Sequence, residues 1–157
     1  MKVEPDLNQL ENALFSAMVI TYTQGLYFIS EVSKQNNWGI NMAEVCRIWQ
    51  GGCIIRSELL KILTDIYTKN DGIEHLLMAP EIQKLLAENF EDIHGFIKIA
   101  LSSRIPLPAF TSALNYFEGM TVANLPANLI QGLRDFFGAH TYERIDEEGI
   151  FHSDWNN

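Results

Sequence analysis

One segment of the sequence, residues 7–36, constrains the fold most because it has the period of a single long helix. Apolar and small side chains recur along it at spacings of three and four, the pattern of an amphipathic helix. The recurring positions are Leu7, Leu10, Leu14, Ala17, Thr21, Gly25, Phe28 and Val32. Asp6 is a natural N-cap just before the segment. Since the other faces also carry apolar residues, we expect a long central helix that is buried on several sides.

The rest of the sequence predicts further helices and no strand. Asn41 is placed to cap a second helix, a third spans the apolar positions from Leu59 to Ile66, and Pro80, Pro108 and Pro126 each suit the first turn of another. Gly138 is placed to cap the last helix at its C-terminal end. The predicted class is therefore all-α, with a helical domain over residues 1–139.

Residues 140–157 show no helical period and are predicted to form an extended tail. The tail contains large apolar or aromatic side chains, among them Tyr142, Ile150, Phe151 and Trp155. Leaving such side chains free in water would be costly, so we expect the tail to dock against another surface.

Charge and cysteine content narrow the classes of function. The net charge of −9 disfavours a general binder of nucleic acid or of a membrane surface, and an anionic substrate would need a local cationic pocket. Cys46 and Cys53 fit neither a zinc pattern nor a disulfide framework, and we interpret them as reduced thiols of a cytoplasmic protein. The first residues are too polar for a signal peptide, and no run of about 18 apolar residues is present to span a bilayer.

No sequence motif for a phosphate or dinucleotide loop is found. Gly51 and Gly52 lie between two predicted helices and are not part of a Gly-rich strand–turn–helix unit. The chain alone therefore has no predicted place for a nicotinamide cofactor. No motif for a metal site is found either.

Four stretches of the sequence carry a specific resemblance. They read WQGGCIIRS at 49–57, IPLPAFTSAL at 105–114, LPANLIQGLRDFFGAHTY at 125–142 and GIFHSDW at 149–155. Together and in this order they closely resemble the C-terminal domain of the decarboxylating 6-phosphogluconate dehydrogenases. The resemblance extends from about Leu7 to Trp155.

The resemblance implies an intertwined homodimer, in which each subunit has an N-terminal Rossmann domain, a large helical domain and a tail that reaches the partner subunit. It implies NADP-linked oxidation of 6-phosphogluconate and decarboxylation to ribulose 5-phosphate and CO2, a step of the pentose phosphate pathway. The family's catalytic lysine and glutamate lie upstream of this sequence, so no catalytic residue is assigned and the cofactor-binding residues are unknown. We expect this chain to dimerise and complete the partner's substrate site, and to be inactive and bind no NADP alone, since the Rossmann domain is absent.

Arg134 and His140 match the two family positions that contact the substrate from the neighbouring subunit. A guanidinium suits a phosphate because it is permanently charged and donates in a fork, and an imidazole just past a helix end can donate to the same anion. Taken without the resemblance, Arg134 could simply complement the negative end of the helix dipole.

The remaining candidates have structural interpretations. Arg56 is expected to form an ion pair or cap a helix, and His152 to help dock the tail. His75 and His94 are expected at surface or satisfied core positions. Two alternatives to the enzyme domain stay open: a non-enzymatic helical dimerisation protein derived from the same fold, and a related β-hydroxyacid dehydrogenase, whose helical domain is shorter and lacks this tail.

Overall fold

The computed structural model describes residues 6–155, and over that range it is all-α, as the sequence predicts. The helices are α1 (Leu7–Asn36), α2 (Met42–Trp49), α3 (Leu59–Lys69), α4 (Pro80–Ser102), α5 (Pro108–Thr121) and α6 (Asn128–Gly138), with a 3₁₀ turn at Leu76–Met78. The chain divides after Met120 into a first unit, residues 6–120, and a second unit, residues 121–155. The second unit therefore contains α6 together with the tail.

Most helix starts lie where the sequence signals place them. The Asn41 side chain accepts the Glu44 N–H at 3.0 Å, and Pro80 occupies the first turn of α4. The first N–H groups of a helix have no partner inside it. The Asn41 side chain accepts a hydrogen bond from one of them, and Pro80 has no N–H that would need a partner. The start of α6 differs from the prediction: the helix begins at Asn128, two residues after Pro126.

The core of the first unit is the packing of α1 along α4, with α2 packed on α3. Two hydrogen bonds tie α1 to α4: Asn12 Nδ2 donates to Asp92 Oδ2 at 2.7 Å, and Ser16 Oγ donates to the Asn89 carbonyl at 3.2 Å. The largest fully buried apolar side chains of this unit are Val19, Ile20, Leu26, Leu60, Leu63, Leu76, Ile82 and Ile93.

The buried face of α1 is not the predicted stripe. Leu14, Gly25 and Phe28 are all exposed, whereas Val19, Ile20 and neighbouring positions form the core. Both faces of α1 are apolar, so periodicity alone could not identify the one that α4 covers. Gly25 faces open space as well, because a Cβ built there would meet no atom within 4 Å in the described residues.

Although the sequence has no uninterrupted apolar run, α1 is long and apolar enough to cross a bilayer by length and composition alone. Its contacts are those of a core helix. One side packs on α4, and the polar side chains of Asn12 and Ser16 both donate hydrogen bonds to that helix.

Candidate functional site

The candidate site lies at the C-terminal end of α6, where the chain leaves the helix in left-handed backbone conformations. Ala139 has a φ of 48° and donates its N–H to the Asp135 carbonyl at 2.8 Å, and Thr141 has a φ of 62°. Ala139, and not the predicted Gly138, is therefore the residue that caps the helix. Gly138 serves a different purpose, because a Cβ there would lie 2.9 Å from the His140 Nε2 atom. The missing side chain leaves room for the imidazole.

The tail is folded more tightly than the sequence predicts. Tyr142 and Phe151 form an antiparallel bridge, exchanging two backbone hydrogen bonds of 2.9 Å, and their rings stack with centroids 6.1 Å apart. The Tyr142 hydroxyl also lies 2.7 Å from Ser153 Oγ. Residues 142–153 thus form a closed loop. Inside this loop the Arg144 guanidinium donates two hydrogen bonds to the Asp146 carboxylate, at 2.9 and 2.6 Å.

The Asp135 carboxylate on α6 joins the helix to the tail. It is fully buried, and four N–H groups donate to it. The donors are the Thr141 backbone at 3.0 Å, His152 Nδ1 at 2.8 Å, the Ser153 backbone at 3.0 Å and Trp155 Nε1 at 2.9 Å. A buried carboxylate is stable only with such compensation, so the tail supplies the partners that permit Asp135 to be there.

These contacts set the charge of Asp135. Burial by itself would raise the pKa of the carboxyl, but the four donated hydrogen bonds outweigh it and hold the pKa below its ordinary range. An ionised carboxylate only accepts hydrogen bonds, so His152 Nδ1 carries the proton in their contact. The structure thus gives His152 a contact that fits the docking role expected from the sequence.

Arg134 and His140 both lie in the second unit, and both are exposed. The Arg134 Nη1 atom donates to Gln131 Oε1 at 3.1 Å, and within residues 6–155 the guanidinium has no carboxylate partner. Its remaining N–H groups point to no acceptor in the described chain. An exposed guanidinium with free donors and an exposed imidazole can each donate to an anion that another molecule presents.

Asp135 and Gln131 are functional candidates that the sequence analysis missed. One available signal was the position of Asp135, because a carboxylate in the last turn of a helix opposes the helix dipole. Such a residue requires local compensation, and the tail provides it. No comparable signal marks Gln131, whose contacts depend on how the chain folds back after α6.

The first motif stretch, residues 49–57, forms an exposed turn between α2 and α3. Gln50 Nε2 donates to Thr64 Oγ1 at 2.8 Å, and the Tyr22 hydroxyl donates to the Ile55 carbonyl, which ties the turn to α1. Arg56 is exposed, and the part of the chain that the structure describes gives it neither the ion pair nor the cap expected from the sequence.

Comparison with known proteins decides the family. The family model described as "6-phosphogluconate dehydrogenase, C-terminal domain" matches residues 2–155. The chain belongs to the 6-phosphogluconate dehydrogenase family. It is 40% identical over 149 residues to the decarboxylating 6-phosphogluconate dehydrogenase of Buchnera aphidicola subsp. Baizongia pistaciae (strain Bp), covering 95% of this chain and 32% of the relative. The corresponding enzyme of Escherichia coli (strain K12) is 38% identical, with the same two coverages.

A solved structure of a 6-phosphogluconate dehydrogenase has the same fold. The Plasmodium falciparum enzyme, described in its apo form and in complexes with NADP+ and with 6-phosphogluconate, superposes with a TM-score of 0.86 at 40% sequence identity. The match covers 99% of this chain and 34% of that enzyme. The chain therefore corresponds to the C-terminal domain of the 6-phosphogluconate dehydrogenases and spans about a third of the length of its relatives.

Proposed function

We propose that this chain acts as the helical domain of a decarboxylating 6-phosphogluconate dehydrogenase of the cytoplasmic pentose phosphate pathway. In this role it joins two subunits and completes the substrate site of its neighbour. The observation that carries the proposal is the exposure of Arg134 and His140 at the end of α6 in a chain of this family. Both side chains are open to a ligand held by another polypeptide.

The proposed role of Arg134 and His140 is to bind the phosphate of 6-phosphogluconate. The Arg134 guanidinium would donate in a fork to two phosphate oxygens, while its bond to Gln131 keeps one edge of the group fixed. The His140 imidazole would donate a further hydrogen bond. Neither residue takes part in bond breaking, so their contribution is to hold and orient the substrate.

The described residues do not fit a dinucleotide cofactor. Between Asp6 and Trp155 the structure has no parallel strand followed by a Gly-rich turn, and the Gly51–Gly52 pair lies in an exposed turn. NADP would bind elsewhere in the parent enzyme, where it would accept the hydride from the substrate. We expect this chain alone to show neither NADP binding nor turnover.

The second part of the proposal is a homodimer in which the tail docks on the partner subunit. Leu14 and Phe28 lie on the uncovered face of α1, and Phe28 is 68% exposed. In the second unit Phe137 and Ile145 are 80% and 94% exposed. A soluble monomer rarely leaves such side chains uncovered, and a second copy of the chain would cover them.

Sedimentation equilibrium at micromolar concentration tests the dimer. The chain should sediment as a dimer, Phe28→Asp should shift it towards monomer, and Leu101→Asp should not, although Leu101 is also 61% exposed, at the end of α4. A compact wild-type monomer would contradict this part of the proposal.

The enzymatic part is tested with a fusion protein in which this chain replaces the C-terminal third of the Escherichia coli relative. We expect the fusion protein to reduce NADP in the presence of 6-phosphogluconate. A folded, dimeric fusion protein without turnover would contradict the proposal and favour the non-enzymatic dimerisation protein.

A further inference from the structure

The backbone of Thr141 is held on both sides by two side chains of α6. Its N–H donates to Asp135 Oδ1 at 3.0 Å, and its carbonyl accepts from Gln131 Nε2 at 2.5 Å. Gln131 and Asp135 are four residues apart, so they lie one above the other on the same face of the helix. The chain that leaves α6 is therefore bound back onto the helix it has just left.

The turn needs this support because its backbone is disfavoured. Thr141 has a φ of 62°, a left-handed conformation that a β-branched residue rarely adopts. Its own hydroxyl donates to the His140 carbonyl at 2.6 Å, which adds only a local contact. The two contacts from α6 are the ones that can hold the turn in this conformation.

The same contacts connect the two candidate substrate-binding residues, Arg134 and His140. Gln131 Oε1 accepts from Arg134 Nη1 at 3.1 Å while Gln131 Nε2 holds the Thr141 carbonyl. His140 directly precedes Thr141, and its imidazole lies against Gly138. A single amide thus contacts the guanidinium and the turn that carries the imidazole.

We propose that Gln131 and Asp135 are positioning residues that fix the Arg134 guanidinium and the His140 imidazole relative to each other. This inference rests on the proposed function of Arg134 and His140. Asp135 secures the N–H side of the turn, and the tail keeps that carboxylate buried. Gln131 holds the Thr141 carbonyl on the other side of the turn and also the Arg134 guanidinium. Their effect is on substrate affinity, with the chemical step left unchanged.

The test uses the fusion protein and Gln131→Met, which keeps the length of the side chain and removes both hydrogen bonds. We expect the KM for 6-phosphogluconate to rise about tenfold while kcat changes less than about twofold. Gln83→Met is the matched control, because Gln83 Nε2 also donates to a backbone carbonyl, that of Leu77, at 3.0 Å on α4. It should leave both constants unchanged.

A double-mutant comparison separates positioning from a general structural role. In a fusion protein that already carries Arg134→Ala and His140→Ala, Gln131→Met should have no further effect on KM, because Gln131 acts through those residues. A further tenfold rise in that background would overturn the inference. So would an unchanged KM for Gln131→Met in the otherwise unaltered fusion protein.

An error in the proposed function of Arg134 would give a different result from an error in the positioning role of Gln131. If Arg134→Ala leaves KM unchanged, the phosphate-binding role itself is wrong, whatever Gln131 does. An independent readout comes from the 157-residue chain without a fusion partner. There Gln131→Met should shift the NMR signals of the Arg134 Nε–H and the His140 ring, and Gln83→Met should shift neither. Unmoved signals in Gln131→Met would also overturn the inference.

Discussion

The indole N–H of Trp155 donates at 2.9 Å to the buried carboxylate of Asp135, twenty positions earlier in the chain. This bond joins the end of the tail to the last turn of α6. It is one of four such bonds, and the other three come from Thr141, His152 and Ser153. Asp135 therefore accepts four of the hydrogen bonds that hold the tail on α6.

Asp135→Asn should loosen the whole tail, because an amide has one acceptor oxygen and places an NH2 group against N–H donors. In hydrogen-exchange measurements we expect the Thr141 and Ser153 amides to exchange at least about tenfold faster. Trp155→Phe is the control, since it removes one donor and keeps the charge; it should speed exchange less. Equal exchange rates in Asp135→Asn and the wild type would contradict this role of Asp135.

Burial of His75 in the first unit predicts a pH dependence of stability. Its Nδ1 atom accepts the Leu77 N–H at 3.0 Å, and Nε2 lies 2.7 Å from the Tyr116 hydroxyl. Desolvation lowers the pKa of His75, so the neutral form is favoured in the folded state. A histidine in the unfolded chain has a pKa of about 6.5. Below that pH the unfolded chain therefore binds more protons than the folded chain. The contribution of His75 to the free energy of unfolding is therefore complete above that pH, and it is lost as the pH falls through the pKa of His75 in the folded state.

The measurement is the melting temperature between pH 7.5 and 5. We expect it to fall towards pH 5 in the wild type and to fall less in His75→Asn, whose oxygen can still accept the Leu77 N–H but does not titrate. His94→Asn, which alters a histidine exposed beside Glu118 on the protein surface, should keep the wild-type slope. Parallel curves for the wild type and His75→Asn would refute the prediction.

Gly138→Ala should displace the His140 ring without lowering the stability of the protein. The new Cβ would lie 2.9 Å from His140 Nε2, so the imidazole must move. In the fusion protein we expect KM for 6-phosphogluconate to rise about tenfold, while the melting temperature stays the same or rises because alanine favours the helix by up to about 1 kcal/mol. Gly119→Ala, where a Cβ would meet nothing within 4 Å, should leave KM unchanged. An unaltered KM in Gly138→Ala would mean that the position of the ring does not matter.

Local signals in the sequence were enough to predict most of the helices. The periodicity of residues 7–36, the Asn41 cap and the position of Pro80 each correspond to a feature of the structure. These features depend on neighbours within one or two turns, which is why the sequence alone reveals them.

The features that the sequence analysis missed depend on contacts between distant residues. Which apolar face of α1 is buried depends on α4, and the burial of Asp135 depends on Trp155, twenty residues away. Arg134 and His140 are indicated by the motif resemblance and by no local pattern. Nothing local predicted that Gln131 would contact both Arg134 and the Thr141 carbonyl.

The most direct test of the proposed function is the KM for 6-phosphogluconate of the fusion protein carrying Arg134→Ala. A hydrogen bond to a charged group contributes about 1.5–3 kcal/mol, so losing the guanidinium should raise KM by at least about 10- to 100-fold. Arg144→Ala, which removes a guanidinium already paired with Asp146, should change KM less than about threefold. A KM in Arg134→Ala equal to that of the unaltered fusion protein would contradict the proposed role in phosphate binding.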